Sequence, residues 1–283
     1  MVNPIHVRPA QAQDKESVLA FCQNTFSWGD YIANVWDDWL TRTDGQLLVA
    51  TIAQQIAGIV HVALLDHKIA WMEGMRVNPA LRRQGVAHVL DETARAVARE
   101  RGCRLARLVT STKNIAAQTL LERLGYQRGA RFNEWETEPL PGNFSQSRIA
   151  TENDLDNILA RWQASPIAQA SRGIAPTRDW RWVPIDAARL RKQIERGEVR
   201  VMLNGFALLP AFDEDDWNGI ALHALDGDME TLFMLAQSAR AEAAYRGYAH
   251  VEAMLVDYAP LNAALERAGF ATAGGMLVYE QTL

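Results

Sequence analysis

Arg82, Arg83 and Gln84 run directly into Gly85, and an apolar helical pattern begins with the next residue. The first N–H groups of a helix have no partner inside it and carry the positive end of its dipole. A glycine at that point lets another group come close to the backbone. The arginines add charge, and Gln84 adds neutral donors. These residue types in this order suit phosphate oxygens, so the turn reads as a pyrophosphate cradle. A Walker loop would need Gly-Lys-Ser/Thr, and a dinucleotide fingerprint a second glycine two residues earlier; neither is present. Ala87, two residues on, is also small enough for close approach.

A cradle of this kind needs a strand that ends and a helix that starts. "KIAWMEGMRVNP" predicts the strand, ended by Asn78 and Pro79. Residues 85–101 predict the helix, with Ala87, Leu90, Ala94, Val97 and Ala98 as its apolar stripe and Gly102 closing it. Upstream, "IHVRPA" reads as a short strand, and Asp14 as the cap of a helix that turns Val18, Leu19 and Cys22 inward. In "SWGDYIANVWDDWL", Trp28, Tyr31, Val35, Trp36 and Trp39 share a helical spacing that suits core packing or a substrate wall. "QLLVATIAQQIAGIVHVALLD" predicts two strands around a turn at Gln54–Gln55. Downstream come a strand ("RLARLVTST"), a helix ("NIAAQTLLERLGY") ending at Gly125, and a strand ("FNEWETE").

The chain has 283 residues, enough for two domains, with 48% hydrophobic and 22% charged residues, as in proteins with a substantial core. A net charge of −5 argues against a nucleic-acid partner, which needs a basic surface. Cys22 and Cys103 stand far apart without CxxC or zinc spacing, and read as small buried residues. The six histidines show no ligand spacing, so no metal is expected; His88, in the first turn of the cradle helix, is placed near the phosphates. No signal-peptide or membrane-spanning apolar run appears, which predicts a cytoplasmic protein with no membrane partner.

The second half repeats the first. Arg8, Ala10, Asp14 and Leu19 match Arg148, Ala150, Asp154 and Leu159 at an offset of 148 − 8 = 140. "LLERLGY" matches "ALERAGF" at 264 − 120 = 144, and Arg101–Gly102 matches Arg246–Gly247 at 246 − 101 = 145. "PLPGNFSQS", residues 139–147, has linker chemistry. The expected organisation is a domain over 1–138, a linker over 139–147 and a degenerate copy over 148–283. By the 145 offset, the cradle residues fall on Gly227, Asp228, Met229 and Glu230, so carboxylates replace the arginines.

Val77-x-Pro79-x-x-Arg82-x-x-Gly85-x-Ala87 resembles the acetyl-CoA signature of the GNAT family of N-acetyltransferases. Asn114-x-x-Ala117-x-x-Leu120, followed by Leu124-Gly125-Tyr126, resembles its second motif. The resemblance covers residues 4–138, with the second half a weaker copy. It implies an α/β (α+β) fold of two GNAT-like acyl-CoA N-acyltransferase domains, each a mixed, mostly antiparallel sheet flanked by helices. It also implies that strands four and five splay apart around acetyl-CoA. The pantetheine arm would then pair with the backbone of Met75, Arg76 and Val77. The pyrophosphate would meet the N–H groups of Arg82, Arg83, Gln84, Gly85, Val86 and Ala87. His88, Asn114, Ala117 and Leu121 complete the expected cofactor set.

The implied reaction is direct acetyl transfer to a primary amine, which must be neutral to attack. Glu73, expected to share the side-chain parity of Met75 and Val77, is the candidate base. Where many members carry the tyrosine that protonates the leaving thiolate, this chain has Leu121. Tyr126 stands where a core phenylalanine is usual, and Ser111 and Thr112 are weak alternative acids. A non-catalytic CoA-binding sensor or scaffold is therefore the rival reading. Trp28, Asp30, Tyr31 and Trp39 are expected to line the acceptor pocket. An aromatic wall with one carboxylate suits a small cationic amine; a free amino acid or a peptide would also fit the family. The sequence leaves the acceptor and the oligomeric state open.

Overall fold

The repeated Arg and Asp make the same ion pair twice. Arg8 donates to both carboxylate oxygens of Asp14 at 2.7 and 2.8 Å, and Arg148 to both of Asp154 at 2.8 and 2.6 Å. Each aspartate also accepts a backbone N–H three residues earlier, from Gln11 and Thr151 respectively. The pair ties the end of a strand to the start of a helix, and Arg8 holds the Asp14 carboxyl below its ordinary range. Asp14 was expected to cap the helix with its side chain. It makes no such bond, because Arg8 and Gln11 take both of its oxygens.

A computed structural model describes residues 4–23, 25, 29–142, 147–214 and 217–283. In chain order the elements of the first half are β1 (Ile5–Pro9), α1 (Lys15–Cys22), α2 (Ile32–Thr41), β2 (Gly45–Ile52), β3 (Gln55–Leu65), β4 (Ile69–Val77), α3 (Val86–Glu100), β5 (Leu105–Ser111), α4 (Ile115–Arg123) and β6 (Gln127–Thr137). The β2–β3 turn is Ala53–Gln54, one residue before the expected position, with both residues at positive φ. The second half begins with β7 (Arg148–Ile149), α5 (Leu155–Ala164), α6 (Pro166–Ala170), β8 (Ile174–Pro176), β9 (Trp182–Pro184), α7 (Ala187–Glu195), β10 (Val199–Met202) and β11 (Gly205–Leu208). It continues with β12 (Ala211–Glu214), β13 (Trp217–Leu222), β14 (Ala224–Asp226), α8 (Met229–Arg246), β15 (His250–Val256), α9 (Ala259–Arg267) and β16 (Ala271–Thr282).

Two compact units result, and they do not follow the linear halves. One holds residues 1–108, 118–127 and 279–283; the other holds 109–117 and 128–278. In the first, the strands run β1-β2-β3-β4-β5 and then the end of β16. Leu283 donates its N–H to the Arg104 carbonyl at 3.0 Å, and Arg107 pairs with Glu280 at 2.6 Å. In the second, the body of β16 is followed by β6, β15, β13 and β12, while β14, β11, β10 and β7 form a second sheet. β6, expected as the last strand of the first domain, pairs antiparallel with β15 from Phe132–Val256 to Thr137–Val251.

The first unit buries both faces of its sheet. Val18 and Cys22 of α1 and Ile32, Trp36 and Trp39 of α2 pack with Leu47, Val49, Ile56 and Ile59. Each such side chain contributes roughly 1.5–3 kcal/mol by leaving water. Against the other face lie Val86, Leu90, Ala94 and Ala98 of α3. Gly58 lets that helix lie close: a Cβ there would stand 3.1 Å from both Leu90 and Val86. The "LGY" segment at 124–126 and its counterpart "AGF" at 268–270 end their helices alike. Gly125 and Gly269 take φ of +90° and +88°, and the aromatic residue that follows each is buried. In the first copy the aromatic residue is Tyr126, whose hydroxyl donates to Asp91 of α3 at 2.8 Å. Burial and the adjacent Asp91 carboxylate push that hydroxyl pKa up, so Tyr126 packs as expected.

Phe270 shows that the ring alone suits this position, so Tyr126→Phe is expected to fold. Asp91 would keep Arg95 at 2.8 Å but lose a buried donor. Urea unfolding should show a loss of about 1–3 kcal/mol.

Candidate active site

The site is built where β4 is irregular. β4 pairs with β3 in order from Ile69–Leu65 to Glu73–His61, then resumes at Arg76–Ile59 and Val77–Gly58. β4 therefore uses Gly74 and Met75 where β3 supplies only Val60, a β-bulge. Gly74 sits at φ +67°, and a Cβ on it would stand 2.5 Å from the Trp39 ring. On its other edge β4 pairs with β5 through Ile69–Leu105, Ala70–Ala106 and Trp71–Arg107. Beyond Trp71 the two strands part, and β4 offers backbone donors and acceptors that this ladder does not use.

The bulge overturns the expected parity of Glu73. Side chains alternate along a regular strand, but the extra residue shifts the alternation by one. Glu73 shares its face with Arg76, while Val77 lies opposite Gly58 on the face covered by α3.

Around Glu73 stand charged and aromatic groups from four elements. His61 of β3, with no exposure, places Nδ1 2.8 Å from Glu73 Oε1. The Trp39 ring lies flat on the imidazole, with centroids 4.5 Å apart and planes within 6°. Tyr31 meets Trp39 edge to face at 6.1 Å, and Arg76 lies 5.2 Å above the Tyr31 ring. The Arg76 fork donates to both oxygens of Asp30 at 2.7 and 3.0 Å. Burial pushes the Asp30 carboxyl up, but hydrogen bonds from Arg76, Thr25 and the Ile32 N–H, with the Arg76 charge, together make the net shift downward. Burial also pushes the Tyr31 hydroxyl up and raises the Cys22 thiol to about 11. Cys22 is buried and unreactive there.

Of the expected acceptor residues, Tyr31 and Trp39 are brought together over β4. Asp30 is there too, with both of its oxygens paired to Arg76. Trp39 is 5% exposed and serves mainly as a lid on His61. Trp28 lies outside the described residues.

After β4, Asn78 accepts the Ala80 N–H and starts a short 3-10 turn. Arg83 takes φ +63° and Gly85 φ +91°, turning the chain into α3. Gly85 is the N-cap and has no side chain with which to cover the helix N–H groups. A Cβ there would meet only Ile5, at 3.8 Å, so the space before the helix is open. Arg82, Arg83, Gln84 and His88 are exposed, and Val86 turns its side chain into the core. Met75, Arg76 and Val77 lie on the stretch of β4 beyond its pairing with β5.

Asn114 accepts the Ala117 N–H at 3.1 Å and so caps α4. Leu121 is buried, and Ser111 accepts the Lys113 N–H at 3.2 Å.

The second unit closes its corresponding turn. Only Gly227 separates β14 from Asp228, the N-cap of α8, where seven residues separate Val77 from Gly85. Asp228 accepts the Thr231 N–H and an amide proton of Asn204, both at 2.9 Å. These bonds bring its carboxyl down to about 2. The caps Gly85 and Asp228 correspond at an offset of 228 − 85 = 143, which corrects the 145 used from the helix ends; α8 is the longer helix, and the extra length between its cap and Gly247 accounts for the change. A carboxylate thus takes the place of the bare glycine.

His61 was missed in the sequence, although a signal existed. A β3–β4 hairpin closed at Leu65–Ile69 puts residues summing to 134 opposite one another, and 61 + 73 = 134. Among the described residues no group of three or more His, Cys, Asp or Glu side chains could hold a metal, and no helix is long and apolar enough to cross a membrane.

Residues 16–126 match the Acetyltransferase (GNAT) family. The whole chain shares its fold with a GCN5-related N-acetyltransferase from Sphaerobacter thermophilus. That likeness has 13% identity and a TM-score of 0.65, covering 98% of this chain and 95% of that one. A tandem GNAT protein from the clavulanic acid biosynthesis pathway is 16% identical, with a TM-score of 0.59 and coverage of 99% and 98%. The glucosamine N-acetyltransferase region of a fungal multi-domain GH3 β-N-acetylglucosaminidase is 14% identical, with a TM-score of 0.63, and covers 99% of this chain and 38% of that one. No curated protein matches the sequence.

Gly74→Ala tests the bulge. It combines left-handed backbone with a clash against Trp39, and thermal or urea unfolding should report a loss of about 1–3 kcal/mol.

Proposed function

We propose that this chain, whose residues 16–126 are a GNAT-family domain, is an acetyltransferase that moves an acetyl group from acetyl-CoA directly to a primary amine. The observation that carries the reading is the parting of β4 from β5 after Trp71, with Glu73 and the Gly85 turn on the parted strand and just beyond it. Bound acetyl-CoA supplies a thioester, an acyl group already activated toward amines. The residues present fit it. The freed backbone of Met75, Arg76 and Val77 can pair with an amide-bearing arm. The bare N-cap at Gly85 leaves the N–H groups of the first α3 turn for phosphate oxygens, and Arg82, Arg83 and Gln84 add exposed donors beside them. His88 stands on the same turn.

Glu73 takes the proton from the acceptor nitrogen and leaves its lone pair for attack. Tyr31 and Trp39 supply an aromatic wall for the acceptor. Because Arg76 already matches Asp30, the wall favours a neutral or weakly hydrated amine body over one held by a carboxylate. Small amines, free amino acids and peptide termini all carry the required nitrogen.

The rival reading, a non-catalytic CoA-binding sensor or scaffold, draws on two observations: Leu121 stands where a proton donor is usual, and the Tyr126 hydroxyl is bound to Asp91. Release of CoA from acetyl-CoA across a panel of primary amines separates the two. We read residues 148–283 as a degenerate copy that binds no CoA, since Asp228 occupies its helix terminus.

Calorimetric titration with CoA is expected to give one site per chain. Gly85→Asp should abolish that binding without unfolding the protein, because it sets a negative charge in the open space before α3. Two sites of similar affinity, or unchanged affinity of the variant, would remove the cradle from this reading. Glu73→Gln should lower turnover by about a hundredfold to ten-thousandfold with acetyl-CoA affinity nearly intact.

A further inference from the structure

A histidine with no exposure, laid between a tryptophan and a carboxylate, stands beneath the site. The His61 ring is covered on one side by Trp39 at 4.5 Å. Nδ1 reaches Glu73 Oε1 at 2.8 Å, while Nε2 is buried without a hydrogen-bond partner. Two glycines make the arrangement possible. A Cβ on Gly45 would stand 2.7 Å from Nε2, and one on Gly74 would drive Trp39 off the imidazole.

The tautomer follows from this geometry. An ionised carboxylate only accepts, so Nδ1 must carry the hydrogen that bridges to Glu73. A hydrogen on Nε2 would be buried against Gly45 with no acceptor, so Nδ1–H is the donor this ring offers. A donor held on one carboxylate oxygen favours the charged form of the acid and restricts its rotation.

We propose that His61 is a positioning residue: its Nδ1–H fixes the Glu73 carboxylate, and keeps it ionised, for proton removal from the acceptor amine. The inference rests on the reading of Glu73 as the base. Other charged or titratable groups face this cluster: Asp30 and Tyr31 ahead of α2, Arg76 on β4 and Cys22 on α1. β2 contributes Gly45 and Leu47, which carry no charge. Arg76 donates to both oxygens of Asp30 and to the Met75 carbonyl.

The sign of the pH effect is fixed. Without the donor, the carboxylate is less stable relative to the acid, and its pKa rises. The acid limb of kcat/KM should then move to higher pH. The experiment compares pH–rate profiles of the wild type, His61→Leu, His61→Asn and Glu73→Gln, using acetyl-CoA and the primary amine turned over fastest in the panel. His61→Leu should shift the limb upward by about one pH unit and lower kcat roughly tenfold or more, with the KM for acetyl-CoA unchanged. His61→Asn, which keeps a donor near Nδ1, should return the limb most of the way; a merely structural role would leave the limb in place in both. An unmoved limb in His61→Leu, alongside an inactive Glu73→Gln, overturns the role of His61 and spares that of Glu73. Wild-type turnover by Glu73→Gln overturns both. If His61→Leu does not fold, nitrogen NMR of the wild type decides: a ring protonated at Nδ1 and bare at Nε2 supports the proposal, and the opposite tautomer refutes it.

Discussion

One extra residue in β4 organises the first unit. With no bulge, Glu73 and Arg76 would point to opposite faces. With it, both project toward α1 and α2, where His61, Trp39, Tyr31 and Asp30 meet them. The extra residue must be able to adopt left-handed backbone and must carry no Cβ, since the Trp39 ring fills that space; glycine meets both demands. The second unit keeps a similar irregularity. From Leu208–Ala224 to Ala211–Ile220, β11 and β12 advance three residues while β13 and β14 advance four. There the place next to the break holds His223, buried, with its pKa driven down to about 3 by burial and by Arg189 and Arg178.

The two helix starts show how little separates an open anion turn from a closed one. Gly85 leaves its helix N–H groups bare after a seven-residue approach, whereas Asp228 supplies its own carboxylate after a single glycine. A bound phosphate and a capping aspartate satisfy the same donors. In the second unit the helix start carries its own carboxylate, which Asn204 and Thr231 hold in place.

Much of this was legible in the sequence because it depends on local chemistry. The Arg8/Asp14 and Arg148/Asp154 matches marked the repeat, and so did the match of "LLERLGY" with "ALERAGF". The Arg82–Gly85 run marked the start of α3. What was hidden depends on partners distant in sequence. Alternation cannot reveal a bulge, so Glu73 was assigned to the wrong face. Nothing in the Asp30 neighbourhood shows that Arg76, 46 residues away, takes both of its oxygens. His61 interrupts an apolar strand, but its meaning needs the register with β4. The linear repeat suggested two self-contained halves, because sequence similarity records ancestry and says nothing of which strand pairs with which.

The placement of residues 279–283 bears on how the chain reaches this state. Tyr279 is fully buried in the first unit, with its hydroxyl on Glu122, and Glu280 meets Arg107. A ribosome delivers the rest of that unit by residue 127 and its last pieces only after 151 more residues, 128–278, have emerged. Until then β5 presents an open edge and Arg107 lacks its carboxylate. Such long-range closure slows folding and prolongs exposure of a pairing-competent strand. The nascent chain therefore completes its earliest-made unit only after residues 279–283 emerge, and a five-residue segment governs the maturation of the first hundred.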